Sequence, residues 1–174
     1  LLYCRKTNCN PWSVSDLIAS SSYFGLFFGR IANFVNAELW GRPTDAPWGI
    51  AFPTEAAQNC GQALGEICAR HPSQLYEAAL EGIILFIVMI YLIFRRNWFK
   101  VPGQIIGIFF IGYGLARFIV EGYRQADLQF ITIDNPFGYI IRLNEFGLTM
   151  GQTLSLPMVF IGMAIIYMAR RRAI

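Results

Sequence analysis

The sequence predicts an all-α membrane protein: a polytopic bundle of four transmembrane helices with two extracytoplasmic loops, forming one domain over residues 1–174. Three observations carry that expectation. Hydrophobic residues make up 55% of the chain and charged residues only 14%, against about 25% charged in an ordinary soluble domain. Four stretches approach the ~20 apolar residues that cross the hydrocarbon of a bilayer. Basic residues gather at the ends of those stretches, as Arg5-Lys6, Arg95-Arg96 with Lys100, and Arg170-Arg171-Arg172. So few charges cover too little apolar surface for a water-soluble fold. The net charge of +3 is small and split into short clusters, so no nucleic-acid partner is expected. The four cysteines lack the spacing of a zinc site, and no metal or cofactor is expected.

The first helix is expected over about 13–36. Ser13, Ser15 and Asp16 suit its start as capping residues. It is weakly hydrophobic, with Ser20-Ser21-Ser22 and an arginine, so a re-entrant or interfacial segment stands as the alternative. The second is expected over about 73–94, with an uncharged core from Ile83 to Phe94. The third is expected over about 102–123, with Pro102 in its first turn, where a missing N–H costs nothing. The fourth is expected over about 148–169, stopping at the three arginines. Every basic cluster then falls on the cytoplasmic side under simple alternation. The loops over about 37–72 and 124–147 fall outside. Trp40 and Trp48 read as interfacial anchors in the first of these loops. Cys60 and Cys68 share it; a disulfide and two free thiols are both open. Cys4 and Cys9 fall on the reducing side and read as free thiols. The opening Leu1-Leu2-Tyr3 reads as the tail of an upstream apolar segment, so the chain reads as a fragment.

Ionisable residues inside membrane helices are costly unless paired or wet, which makes them functional candidates. Arg30 and Asn33 share a face near the outer end of the first helix. Gln74, Glu77 and Glu81 share a face at the outer start of the second. Tyr113, Arg117, Glu121 and Arg124 climb one face of the third to the same level. The fourth helix adds Gln152. Buried polar groups need partners, so a shared cavity opening outward is expected. Arginine's planar fork suits a phosphate, and a phospholipid head group is the anion in reach. The alternative is structural ion pairing of the arginines with Glu38, Glu77, Glu81 and Glu121. Tyr113 reads as a hydrogen-bond or proton-transfer group, or as helix packing. His71, the only histidine, reads as structural before catalytic.

Four segments resemble one family. The stretch Gly29-Arg30-Ile31-Ala32-Asn33-Phe34-Val35-Asn36-Ala37-Glu38-Leu39-Trp40-Gly41-Arg42 resembles the signature of the prolipoprotein diacylglyceryl transferases. Arg70-His71-Pro72-Ser73-Gln74-Leu75-Tyr76-Glu77 resembles a second motif. Gly112-Tyr113-Gly114 with Arg117-Phe118 and Glu121 resembles a third, and Met150-Gly151-Gln152 to Pro157 the last helix. The resemblance implies an enzyme of the bacterial cytoplasmic (inner) membrane, acting on its periplasmic side. It implies transfer of the diacylglyceryl group of phosphatidylglycerol to the thiol of the lipobox cysteine behind a prolipoprotein signal peptide. A thioether forms and glycerol phosphate leaves.

The resemblance also implies roles. Arg117, Tyr113 and Glu121 become catalytic candidates. Arg30, Asn33, Asn36, Glu38, Gly41 and His71 become substrate-binding candidates. It implies further N-terminal helices and an essential histidine that this sequence does not match, which leaves the general base unassigned. A non-catalytic lipid-binding scaffold and a small transporter are the competing classes. A transport pathway needs polar residues through the full membrane thickness, and the cytoplasmic halves of the second and fourth helices are apolar.

Overall fold

A computed structural model describes residues 2–61, 66–126, 128–132, 134–143 and 146–172. Leu1, cited above for an upstream segment, lies outside the described residues, as does part of each expected loop. The chain is mostly helical. A short helix α1 (Leu2–Thr7) precedes α2 (Pro11–Val35), and a single turn α3 (Glu55–Gln58) interrupts the loop that follows. One continuous helix then combines α4 (Ser73–Glu77), a π-helical segment Ala78–Ile84 and α5 (Leu85–Arg96). Helices α6 (Gln104–Glu121) and α7 (Met150–Arg172) follow. The helices Ser73–Arg96, Gln104–Glu121 and Met150–Arg172 are long and apolar enough to cross a membrane. Helix α2 has the length but not the apolarity, because its middle carries Ser20-Ser21-Ser22.

Several boundaries differ from the sequence reading for local reasons. Helix α2 is capped by Asn10, whose side chain accepts from the Trp12 N–H at 3.0 Å, with Pro11 in the first turn. Ser15 instead returns its hydroxyl to the Pro11 carbonyl at 2.9 Å. Asp16 is committed to another helix altogether. Pro102 stands outside α6, which starts at Gln104 after a left-handed Gly103. Helix α7 continues through Arg170, Arg171 and Arg172, whose charge favours a helix C-terminus. The expectation of purely helical structure is corrected by an antiparallel hairpin, β1 (Tyr139–Leu143) with β2 (Phe146–Thr149). Asn135 anchors its entry, giving Nδ2 to the Phe130 and Tyr139 carbonyls and taking the Tyr139 N–H.

The buried face from Glu77 through Glu81 and Leu85 to Met89 repeats at a spacing of four. In an α-helix of 3.6 residues per turn such a row drifts by about 40° at each step. The π segment, with its longer turns, takes up that drift. Polar Glu77 and Glu81 and apolar Leu85 and Met89 therefore all face inward. The apolar centre is Ala19, Tyr23, Leu85, Met89 and Ile105, with Phe86, Phe109 and Tyr113 packed round it.

Among the described residues, helices α6 and α7 pack against each other most extensively. Gly107 and Gly162 face each other: a Cβ built on Gly162 would stand 2.6 Å from the Gly107 carbonyl, and one on Gly107 3.0 Å from the Gly162 carbonyl. Small residues at helix crossings let membrane helices gain dispersion contacts at short range. At the same end of the bundle, Arg172 lies over Trp12 at 5.1 Å and Arg170 over Trp98 at 5.8 Å. The basic end of α7 thus meets both the α5–α6 connection, at Trp98, and the start of α2, at Trp12. Substituting Gly107→Leu or Gly162→Leu is expected to force α6 and α7 apart and lower the unfolding temperature in detergent. An unchanged melt for both would contradict the crossing.

Candidate functional site

At the opposite end, three helices bring ionisable groups into contact. Arg30 comes from the last two turns of α2, Glu77 and Glu81 from the α4–π helix, and Arg117 and Glu121 from the end of α6. Glu77 is 1% exposed and sits between the two arginines. Its Oε2 is 3.1 Å from Arg30 Nε, and its Oε1 accepts from Arg117 Nη1. Glu81 accepts from Arg30 Nη2 at 3.3 Å. Glu121 Oε2 lies 3.3 Å from Arg117 Nη2 and 3.6 Å from Arg124 Nη1.

An unpaired charge here would cost several kcal/mol, and mutual pairing removes most of that cost. The three guanidinium and three carboxylate groups balance in formal charge. Spare donors remain. Among the described residues no acceptor takes the Nη1 hydrogens of Arg30 or the Nε hydrogen of Arg117, and both side chains keep 17–18% exposure. Tyr113, one turn before Arg117, is half-buried and stacks on Phe109 at 5.9 Å. It lies within electrostatic reach of Glu81, Arg30, Arg117 and Glu77. Of the sequence-predicted residues, Arg30, Arg117 and Glu121 thus meet in one ion-pair cluster, and Tyr113 lies one turn before Arg117 on α6.

The remaining candidates form its rim. Gly41 donates to the His71 carbonyl at 2.8 Å and bridges to Arg124, while Arg42 donates to the Tyr123 carbonyl at 2.9 Å. A Cβ on Gly41 would stand 2.6 Å from both the His71 and Tyr123 carbonyls, so the crossing needs glycine. Ala37 and Leu39 hold positive φ angles of 54° and 55°, a sparsely populated conformation for side chains of this kind. Ser73 Oγ donates to the Leu39 carbonyl at 2.9 Å, and Gln74 Nε2 donates to the Glu38 carbonyl. These bonds hold the strained segment against the start of α4. Asn33 contributes its carbonyl to the Glu38 N–H at 2.9 Å, and Asn36 caps α2. The Asn36 and Glu38 side chains are exposed and outside the ion-pair cluster.

His71 lies on the rim as well. Its Nδ1 is 3.1 Å from the Tyr76 hydroxyl, which accepts from Trp48 Nε1 at 2.8 Å, and its ring meets Tyr123 edge-on. Burial pushes the His71 imidazole below its ordinary range.

Some contributors were not singled out by the sequence. The sequence places Glu77 in an inward stripe with Gln74 and Glu81 and among the possible partners of the arginines, but not as the residue that joins the two. Arg70 is buried and donates to the carbonyls of Ala57, Gly41 and Asn59 and to Gln125 Oε1, with its guanidinium 4.0 Å over Trp40. Trp40 is therefore occupied by Arg70, whereas Trp48 stays exposed. Cys60 and Cys68 are joined as a disulfide beside this loop core, and Cys4 and Cys9 are free. A cavity of about 190 Å³ borders Arg117. Arg117, Glu121 and Arg124 form its charged wall, and Phe130, Met150 and Leu154 line the rest.

A family model described as prolipoprotein diacylglyceryl transferase matches residues 1–168. The chain belongs to that family. Among its relatives is a phosphatidylglycerol–prolipoprotein diacylglyceryl transferase of Cereibacter sphaeroides, 56% identical over 99% of this chain and 59% of that protein. One of the same name from Roseobacter denitrificans is 56% identical over 99% of this chain and 58% of the relative. Another from Zymomonas mobilis is 43% identical over 99% of this chain and 53% of the relative. The chain thus spans between half and three-fifths of the length of these transferases.

Two substitutions probe the geometry. Glu77→Ala leaves Arg30 and Arg117 without their shared partner and is expected to cost about 3–5 kcal/mol of stability, read by denaturant unfolding. A loss within error of zero would contradict the bridge. Gly41→Ala is expected to cost about 1–3 kcal/mol by overpacking and to increase proteolysis of the 42–59 loop. Wild-type resistance to protease would show that the crossing tolerates a side chain.

Proposed function

We propose that the ion-pair cluster binds the phosphate of phosphatidylglycerol and that the protein transfers its diacylglyceryl group to the lipobox cysteine of a prolipoprotein. The carrying observation is the meeting of Arg30 and Arg117 across Glu77, with N–H donors still free on both. Ion pairing among the side chains and phosphate binding are compatible. The carboxylates hold the guanidinium planes in place, and the unused edges face the ligand. A bidentate fork presented by a pre-positioned arginine loses little entropy on binding.

In this reading the enzyme is multi-pass, and α2 provides the fourth span. The basic ends of the helices face the cytoplasm, and Arg30 and Arg117 lie near the periplasmic surface of the inner membrane. The family match supports it, and so does the gathering of basic clusters at the end opposite the arginines.

The chemistry follows from charge. The cysteine loses its proton and its sulfur attacks the glyceryl carbon. A C–S bond forms, the C–O bond to phosphate breaks, and glycerol phosphate departs with the electron pair. Charge grows on the leaving oxygen, and Arg30 and Arg117 are placed to stabilise it. Tyr113 contributes a hydroxyl near the same groups, and Glu121 fixes Arg117. Asn33, Asn36, Glu38, Gly41 and His71 shape the rim over the head group. The 190 Å³ cavity beside Arg117 offers space for the attacking segment, and its wall holds two arginines to one carboxylate, a net positive charge that favours thiolate. The base that takes the thiol proton is not assigned to this chain.

The test is direct. The protein is reconstituted with phosphatidylglycerol and a precursor peptide, and the peptide mass is followed. The wild type should add one diacylglyceryl group, and a Cys→Ser peptide should add none. Arg30→Ala and Arg117→Ala should lose transfer by at least about a hundredfold while still inserting. Arg→Lys should fail too, because an ammonium has no fork. Full transfer by either alanine variant would overturn the reading.

A further inference from the structure

Asp16 is fully buried, yet among the described residues it pairs with no cation. Its carboxylate crosses from α2 to the start of α6, where Oδ2 accepts the Gly103 N–H at 2.7 Å and Oδ1 accepts the Ile106 N–H at 2.8 Å. Gly103, at the N-cap position of α6, has no side chain to satisfy those donors, so the cap comes from another helix. A carboxylate also suits the positive end of the α6 dipole.

Asp16 and Arg30 belong to one stripe. Asp16, Ala19 and Tyr23 are buried on α2, and Phe27 packs at Gly82 before the stripe ends at Arg30. The fourteen residues from Asp16 to Arg30 rise about 21 Å, and the eleven from Ile106 to Arg117 about 17 Å. Helices α2 and α6 run in the same direction, tied at one end by Asp16 and at the other by Glu77.

Depth gives this tie its importance. The lipid sets the vertical position of a strongly apolar span, because sliding it exposes hydrocarbon to water. Helix α2 carries Ser20-Ser21-Ser22 in its middle and a charged residue toward each end, Asp16 and Arg30, so lipid alone defines its depth less sharply than that of an uninterrupted apolar span. A slip of one turn, about 5 Å, would lift Arg30 away from Glu77. We infer that Asp16 is a positioning residue: by capping α6 from α2 it sets the depth of α2 and so delivers Arg30 level with Arg117. Its consequence for transfer rests on the reading that these arginines hold the lipid phosphate; its geometric part does not.

The experiment separates the two. Cys4 and Cys9 are replaced by serine, and spin labels are placed at Ile18→Cys near the foot of α2 and Ile119→Cys near the top of α6, both exposed positions. Taken from the Asp16–Ile106 contact, the two positions differ by about 16 Å in height along the helices, so sliding of α2 against α6 changes the distance between the labels. Asp16→Ala, and the isosteric Asp16→Asn as a milder variant, should shift or broaden that distance toward one helical turn, about 5 Å. They should also raise the KM for phosphatidylglycerol more than they lower kcat. An unchanged distance in both Asp16 variants, or a shifted distance with an unchanged KM while Arg30→Ala abolishes transfer, overturns the inference. If the distance shifts as expected but Arg30→Ala leaves transfer intact, the positioning stands and the lipid-binding reading fails.

Discussion

Glu77 takes a guanidinium from each side, Arg30 of α2 at 3.1 Å and Arg117 of α6, and the upper end of the bundle is arranged round that meeting. A buried carboxylate with two arginines is stable only as a complete set. Remove one member and an unpaired charge is left in a medium that solvates it poorly. The π segment exists in step with this need, since it lets Glu77 and Glu81 face inward without turning Leu85 and Met89 away from the apolar centre. The strained backbone at Ala37 and Leu39 likewise persists because Ser73 and Gln74, at the start of the same helix, hold the carbonyls of residues 38 and 39.

The two ends of the bundle divide the physical work. At one end Arg170 and Arg172 lie on indole faces, and Asp16 satisfies backbone donors of α6. At the other, charges of both signs neutralise one another while leaving guanidinium edges open. In the proposed reading, an anionic ligand arriving there meets donors already oriented, so its binding requires little reorganisation. The loop above is rigidified by Arg70, which draws Gly41, Ala57, Asn59 and Gln125 together and lies against Trp40.

Much of this was legible in the sequence, for a physical reason. Charged side chains are so costly among apolar helices that spacing alone identifies the inward faces, and Arg30, Tyr113, Arg117 and Glu121 emerge from it together. The helices Ser73–Arg96 and Gln104–Glu121 follow from continuous hydropathy. What stayed hidden depends on contacts between segments distant in sequence. Asp16 reads as a local cap of α2, yet its partners are 87 and 90 residues away. Glu77 reads as one of several acidic neighbours until the packing of three helices singles it out. The hairpin at 139–149 has short strands and weak alternation, so a loop reading absorbed it. Asn33, Asn36 and Glu38 share the signature segment with Arg30, but their work is in backbone capping and at the rim.

The most direct measurement is a high-resolution structure of the protein in a bilayer of phosphatidylglycerol. The account predicts a lipid phosphate within hydrogen-bond distance of both Arg30 and Arg117, with Glu77 still between them. A head group seated elsewhere, with both guanidinium edges closed off by protein, would contradict it.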